Sequence, residues 1–222
     1  MKLFTLTIFV CCTVCTHLFS QQIPIPPEYE IVTSVLGDLD EDGVDELVVV
    51  YNKTTANEED DESIPRELRI YKREGLKWVD WHKSDQILYG SRDGGMMVDP
   101  LDGVDIQDGV LIVRQFGGGR FKWGITDQYR YQDCGFFLVH YAHLSGAPCE
   151  FWESVDFDLS SGKIKLSTEV EVCDDKYDYG DGVDVENFME EFYSKGHKVK
   201  MEYRRESYLL IMSPNNRELR VE

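Results

Sequence analysis

The chain has 222 residues and carries 42 acidic against 23 basic side chains, a formal net charge of −19. So large an acidic excess repels nucleic acid and anionic membrane surfaces and makes cations the natural partners. No nucleic-acid role is expected.

The first twenty residues, "MKLFTLTIFVCCTVCTHLFS", place Lys2 ahead of an apolar stretch from Leu3 to about Cys15 and a small residue, Ser20, before "QQIP". This is the layout of a signal peptide cleaved near Ser20–Gln21. The stretch is short and interrupted by threonines, whereas a spanning helix needs about 20 mainly apolar residues. The expected product is a secreted, periplasmic or cell-surface protein with no membrane insertion, residues 21–222 forming one β-rich domain. Three cysteines leave with the leader; Cys134, Cys149 and Cys173 remain, so at most one internal disulfide forms and one thiol is left over.

"GDLDEDGVDELVVV", residues 37–50, is the most informative stretch. Asp38, Asp40 and Asp42 stand at alternate positions, Gly43 follows, and Glu46 completes carboxylates at loop positions 1, 3, 5 and 9. Curling the backbone brings the three aspartates to one centre, and Gly43 permits the sharp turn that aims the Val44 carbonyl inward. Hard oxygen donors in that number suit Ca²⁺, whereas zinc would call for His or Cys. Without a cation the carboxylates would repel one another. An EF-hand would need a bidentate Glu at position 12 and flanking helices, but position 12 is Val49, inside a β-type run.

The segment "DLDEDGVDEL" resembles the calcium loop of FG-GAP or VCBS-type repeats, in which D-x-[DN]-x-D-G-x-x-[DE]-L runs straight into a strand. That resemblance covers about 30 residues and implies Asp38, Asp40, Asp42, the Val44 carbonyl and Glu46 as ligands of a structural calcium ion. A closed propeller of such repeats needs at least about four blades, for which this chain is too short. More loosely, the region with "GGMMVDPLDGVDIQDGVLIVRQFGGGRFKWG" is similar to exported proteins of Bacteroidetes-type bacteria that carry one such loop before a β-rich region.

Beyond the loop, "NEEDDES" (57–63) reads as a solvated connection. Short β-type runs with turn chemistry between them then predict an antiparallel, mainly β fold: hairpins or a meander arranged as a twisted sheet, a sandwich or an incomplete propeller. "ELRIYKREGLKWVDWH" turns at Glu74-Gly75, "VDIQDGVLIVRQF" at Asp108-Gly109, and a third pair flanks Asp133-Cys134-Gly135. In "CEFWESVDFDLSSGKIKLSTEVEVC", putting the alternating apolar residues on one face requires Asp158 opposite Lys163, with Leu159 to Gly162 as the loop. Cys149 then falls opposite Val172, one position short of Cys173, so a Cys149–Cys173 bridge needs a fray or bulge at the strand ends. Cys134 would be the odd thiol.

"DVENFMEEFYSKG" has Val185, Phe188, Met189, Phe192 and Tyr193 at helical spacing, with Asp184 as N-cap and Gly196 past the end, and predicts a short amphipathic helix over 184–196. Strands are expected again in "KVKMEYRRESYLLIMS" and "RELRVE", joined at Pro214-Asn215.

Catalytic signals are sparse. No serine sits in G-x-S-x-G. His140 and His143, three apart on a strand, face opposite sides. "QFGGGRF" (115–121) has no helix after it and reads as a hairpin or strand bend rather than a phosphate cradle. The expected role is a calcium-braced binding or scaffold domain recognising an extracellular protein or glycan. The alternative is a secreted, glycosidase-like hydrolase whose carboxylates the sequence does not single out.

Overall fold

A computed structural model describes residues 22–54, 63–171, 173 and 186–221. The expected signal peptide (residues 1–20), most of the "NEEDDES" connection and the proposed N-cap Asp184 lie outside the described residues. Within them the chain is mainly β, every named strand pairs antiparallel, and no helix is long and apolar enough to cross a membrane.

Four strands form the first sheet in chain order: β1 (Tyr29–Gly37), β2 (Glu46–Lys53), β3 (Arg66–Glu74) and β4 (Lys77–Ser84). β2 is buried from Glu46 to Tyr51, which explains its unbroken apolar run: a strand covered on both sides has no polar face to alternate with. Val48 and Val50 enter the main core with Leu68 and Ile70. Leu47, Val49 and Tyr51 form a second cluster with Tyr71, packed against Ile23, Tyr29, Ile31 and Trp78.

The second sheet is a seven-stranded meander: β5 (Leu101–Gln107), β6 (Val110–Gly118), β7 (Lys122–Gln132), β8 (Gly135–Ala147), β9 (Phe151–Asp158), β10 (Lys163–Val170) and β11 (Phe188–Tyr193). A small hairpin, β12 (Leu209–Met212) with β13 (Glu218–Val221), completes the fold. One apolar core joins all three sheets, with Leu68 and Ile70 from the first, Tyr129, Phe136 and Phe157 from the second, and Ile211, Leu219 and Val221 from the third. Trp81 on β4 supports the junction, its ring centroid 4.5 Å from Tyr131 and 5.4 Å from Phe136.

The β9–β10 register has Asp158 opposite Lys163 and Phe157 opposite Ile164, as the hydrophobic alternation requires. Gly162 closes that loop at φ +81°. Cys149 and Cys173 form a disulfide with their Cα atoms 5.0 Å apart. The irregularity it needs is present: Cys149 sits in the β8–β9 turn at φ +65°, which redirects its side chain from the strand alternation. Cys134 is the exposed free thiol. The Asp108-Gly109 turn is as expected, but the β3–β4 loop is Gly75-Leu76, one residue beyond Glu74-Gly75, because Glu74 pairs with Lys77.

The predicted helix is not present over the described part of 184–196. Residues 188–193 are the edge strand β11, with Phe188 opposite Thr168 and Tyr193 opposite Lys163. Phe188, Glu190 and Phe192 turn inward while Met189, Glu191 and Tyr193 turn out. Over so short a run the same apolar residues satisfy periods of 3.6 and 2, and the open edge of β10 decides for the strand.

Of the strand expected over residues 198–213, only 209–212 forms, as β12; the part before it is replaced. Met201–Tyr203 make a 3-10 turn wedged between the two large sheets. Leu138 donates its N–H to the Val199 carbonyl at 2.8 Å on one side, and Ser84 donates to the Met201 carbonyl at 2.7 Å on the other.

Candidate metal centre and sheet cleft

The acidic loop is the β1–β2 hairpin loop, residues 38–45, bounded by the Gly37–Glu46 pair. Its geometry is largely self-made. Asp38 accepts the N–H groups of Asp42 at 3.1 Å and Gly43 at 2.8 Å, and Asp42 accepts that of Val44 at 2.8 Å. Gly43 stands at φ +86°, where a side chain would be strained. Leu39, between two aspartates, is 1% exposed and anchors the loop in the main core. Glu41 reaches the Asp108-Gly109 turn, where its Oε1 would lie 2.9 Å from a Cβ at Gly109.

Asp38, Asp40 and Asp42 each offer a carboxylate oxygen such that all three lie within 4.8 Å of one another. Oxygens around a calcium ion, at about 2.3–2.6 Å from it, span up to about 5 Å, so the cluster has the right size. Glu46 is 1% exposed and accepts the Leu39 N–H at 2.8 Å. Burial holds its carboxyl above the usual range, reinforced by Asp40 and Asp42 and opposed by Leu39 and Lys72. Asp40 Oδ1 is buried with no hydrogen-bond partner. Val44 exposes its side chain on the loop's outer edge. That edge borders an open hollow of about 710 Å³ lined by Leu36, Leu47, Arg73 and Trp78.

Sequence reasoning missed Lys72. Its ammonium donates to Asp40 Oδ2 and lies 3.8 Å from Asp42 and 4.0 Å from Glu46, over the Trp81 ring at 4.3 Å. Burial alone would lower its pKa, but the Asp40 bond and the charges of Asp40, Glu46 and Asp42 outweigh this and raise it. The β2–β3 ladder sets Leu47 opposite Tyr71, so the next position outward faces Glu46 with Lys72. A long connection between those strands hides that register in the sequence. Among the described residues the centre thus brings together four carboxylates and one ammonium.

A second polar concentration lies on the inward face of the seven-stranded sheet. Asp127 (β7) receives Arg204 Nε at 2.8 Å and Nη2 at 3.2 Å, plus the Tyr129 hydroxyl at 2.8 Å, all buried. Burial and the Asp127 charge keep Tyr129 a neutral phenol. Toward the sheet's open end the same face continues into a cleft of about 500 Å³. His140 and His143 separate as expected: His140 Nε2 is 3.4 Å from Asp156, while His143 lines the cleft. Gly117 and Gly118 end β6, paired with Trp123 and Lys122, and Gly119 opens the hairpin loop; a Cβ at Gly117 would lie 2.7 Å from the Trp123 ring and 2.9 Å from Gly94.

No protein-family model, curated protein or solved structure matches this chain.

Proposed function

We propose that the protein is an exported, calcium-binding β domain in which the ion is structural and the surface serves recognition of an extracellular protein or glycan. The observation that carries the metal reading is the convergence of Asp38, Asp40 and Asp42 within 4.8 Å beside the buried Glu46, with Asp40 Oδ1 unpartnered. The donors are all hard oxygens, as calcium prefers. The FG-GAP or VCBS-type resemblance of the same ten residues points the same way. Export is supported by the leader-like first twenty residues and by a disulfide, a bond that persists in oxidising compartments.

In this reading Asp38, Asp40, Asp42, Glu46 and the Val44 carbonyl hold the ion, which supplies positive charge where one lysine is insufficient. Bracing the loop keeps Leu39 in the core and fixes the edge of the β1–β2 hairpin. A structural ion stabilises the folded state by about 2.7 kcal/mol at a hundredfold excess over its Kd. Thermal melting in calcium and then in chelator should show a clear rise in midpoint with the ion, abolished in Asp40→Asn. Identical midpoints in both buffers would overturn the metal reading.

A hydrolase is the second reading, favoured by one observation: the cleft brings His143 together with Glu153 and Glu218. Release of new reducing ends from an oligosaccharide would replace the binding reading with this one.

A further inference from the structure

The seven-stranded sheet presents three successive cross-strand rows on one face. Asp127, Tyr141 and Phe157 form the innermost, Ile125, His143 and Val155 the next, and Trp123, Ser145 and Glu153 the outermost. The first row is sealed: Tyr141 is 2% exposed, Phe157 is fully buried, and Arg204 caps Tyr141 at 5.3 Å from its ring. Outward, Ile125, His143, Trp123 and Ser145 become half-buried and Glu153 exposed. The core face therefore runs into the cleft, which is lined also by Tyr89 and Asp93 and by Glu218 and Arg220 of β13.

Two aromatic rings of the lining meet, Tyr89 and Trp123, with centroids 5.1 Å apart at 55°, and Arg205 lies over the Tyr89 ring at 4.9 Å. The absence of a side chain at Gly117 lets the indole lie close over β6. Around them stand carboxylates (Glu153, Asp93, whose Oδ2 also accepts the Gly90 N–H, and Glu218, whose Oε1 accepts Arg220 Nε) and donor groups (Arg220, Ser145, the His143 ring). A sugar ring has the matching chemistry: its C–H face packs on an aromatic face, and its hydroxyls each donate and accept, so they need both kinds of partner. A purely cationic ligand would meet Arg220 on the same wall, and an anionic one would meet three carboxylates.

We infer that this cleft is a saccharide-binding site, with Trp123 as the stacking ring, Tyr89 as its neighbour in the wall and Glu153 as a hydroxyl acceptor at the rim. The inference deepens the recognition role proposed above by choosing glycan over protein, and it does not depend on the acidic loop.

The test is calorimetric titration of the full folded chain, in calcium buffer, with a panel of gluco-, manno-, xylo- and N-acetylglucosamine hexasaccharides, and with tetralysine as a cationic probe. At least one hexasaccharide is expected to bind, at Kd values no weaker than roughly millimolar. Trp123→Ala should weaken binding by about tenfold or more, the scale of a lost aromatic contact. Glu153→Gln, an exposed change that spares the core, should weaken it several-fold. Lys122→Ala, on the opposite sheet face, should leave it unchanged. Absence of binding across the panel, tetralysine binding alone, or binding untouched by both Trp123→Ala and Glu153→Gln overturns the inference. Calcium-dependent melting is read separately, so either proposal can fail alone.

Discussion

The acidic loop and the Asp127 site handle buried charge in opposite ways. At Asp127 one carboxylate meets one guanidinium in paired geometry, and a phenol hydroxyl fills a further acceptor site, so the protein compensates its own charge. At the loop, among the described residues, four carboxylates face a single ammonium that contacts only Asp40 closely. The first arrangement matches one charge with one counter-charge, although Arg204 Nη1 stays buried without a hydrogen-bond partner, and it belongs to stability. The second is left short of positive charge, and that shortage is what a metal ion would fill.

The difference is broken most severely by Asp127→Ala. The substitution strands Arg204, 3% exposed, without its counter-charge, and should cost about 3–5 kcal/mol in denaturant unfolding, equally with calcium or chelator. A calcium-dependent loss would mean that the two regions are coupled.

A smaller effect is expected of Lys72→Met, which removes the only ammonium at the loop among the described residues while keeping an apolar stem on Trp81. Calcium should then bind about tenfold more tightly, roughly 1.4 kcal/mol, because the ion no longer shares Asp40 with a fixed cation. The metal-free protein should melt lower than wild type. Unchanged affinity in a calcium titration would show that Lys72 does not compete for the centre.

Between these extremes lies Arg66–Asp99, a bidentate pair at 2.7 and 2.6 Å with Arg66 at 2% and Asp99 at 48% side-chain exposure. The Arg66 hydrogen bonds hold the Asp99 carboxyl below its ordinary value of 3.8. A depressed carboxylate adds stability above the unfolded value and loses it as pH falls through the folded one. Asp99→Asn should therefore cost about 1 kcal/mol near neutral pH, small because one partner is solvated, and progressively less below pH 3.8. A cost independent of pH, measured by unfolding midpoints, would assign the contact to packing rather than charge.

What could be read from the sequence is whatever depends on neighbours along the chain. Asp38, Asp40 and Asp42 converge because alternate residues around Gly43 curl to one side, and the β9–β10 register follows from which residues must share a face. The same local logic misled at 188–193, where helix and strand periods coincide and only the open edge of β10 distinguishes them.

Lys72, Arg204 and the cleft were invisible for a different reason. Lys72 reaches the loop through a ladder whose connecting segment conceals its register, and Arg204 meets Asp127 across 77 residues. The cleft takes Tyr89 from one connection, Trp123, His143 and Glu153 from three strands, and Glu218 from the last hairpin. Local sequence determined the turns, the alternations and the cluster of acids. Tertiary structure alone decided which charges are compensated and where the core face opens, because those depend on contacts between segments whose order in the chain does not specify their distance in space.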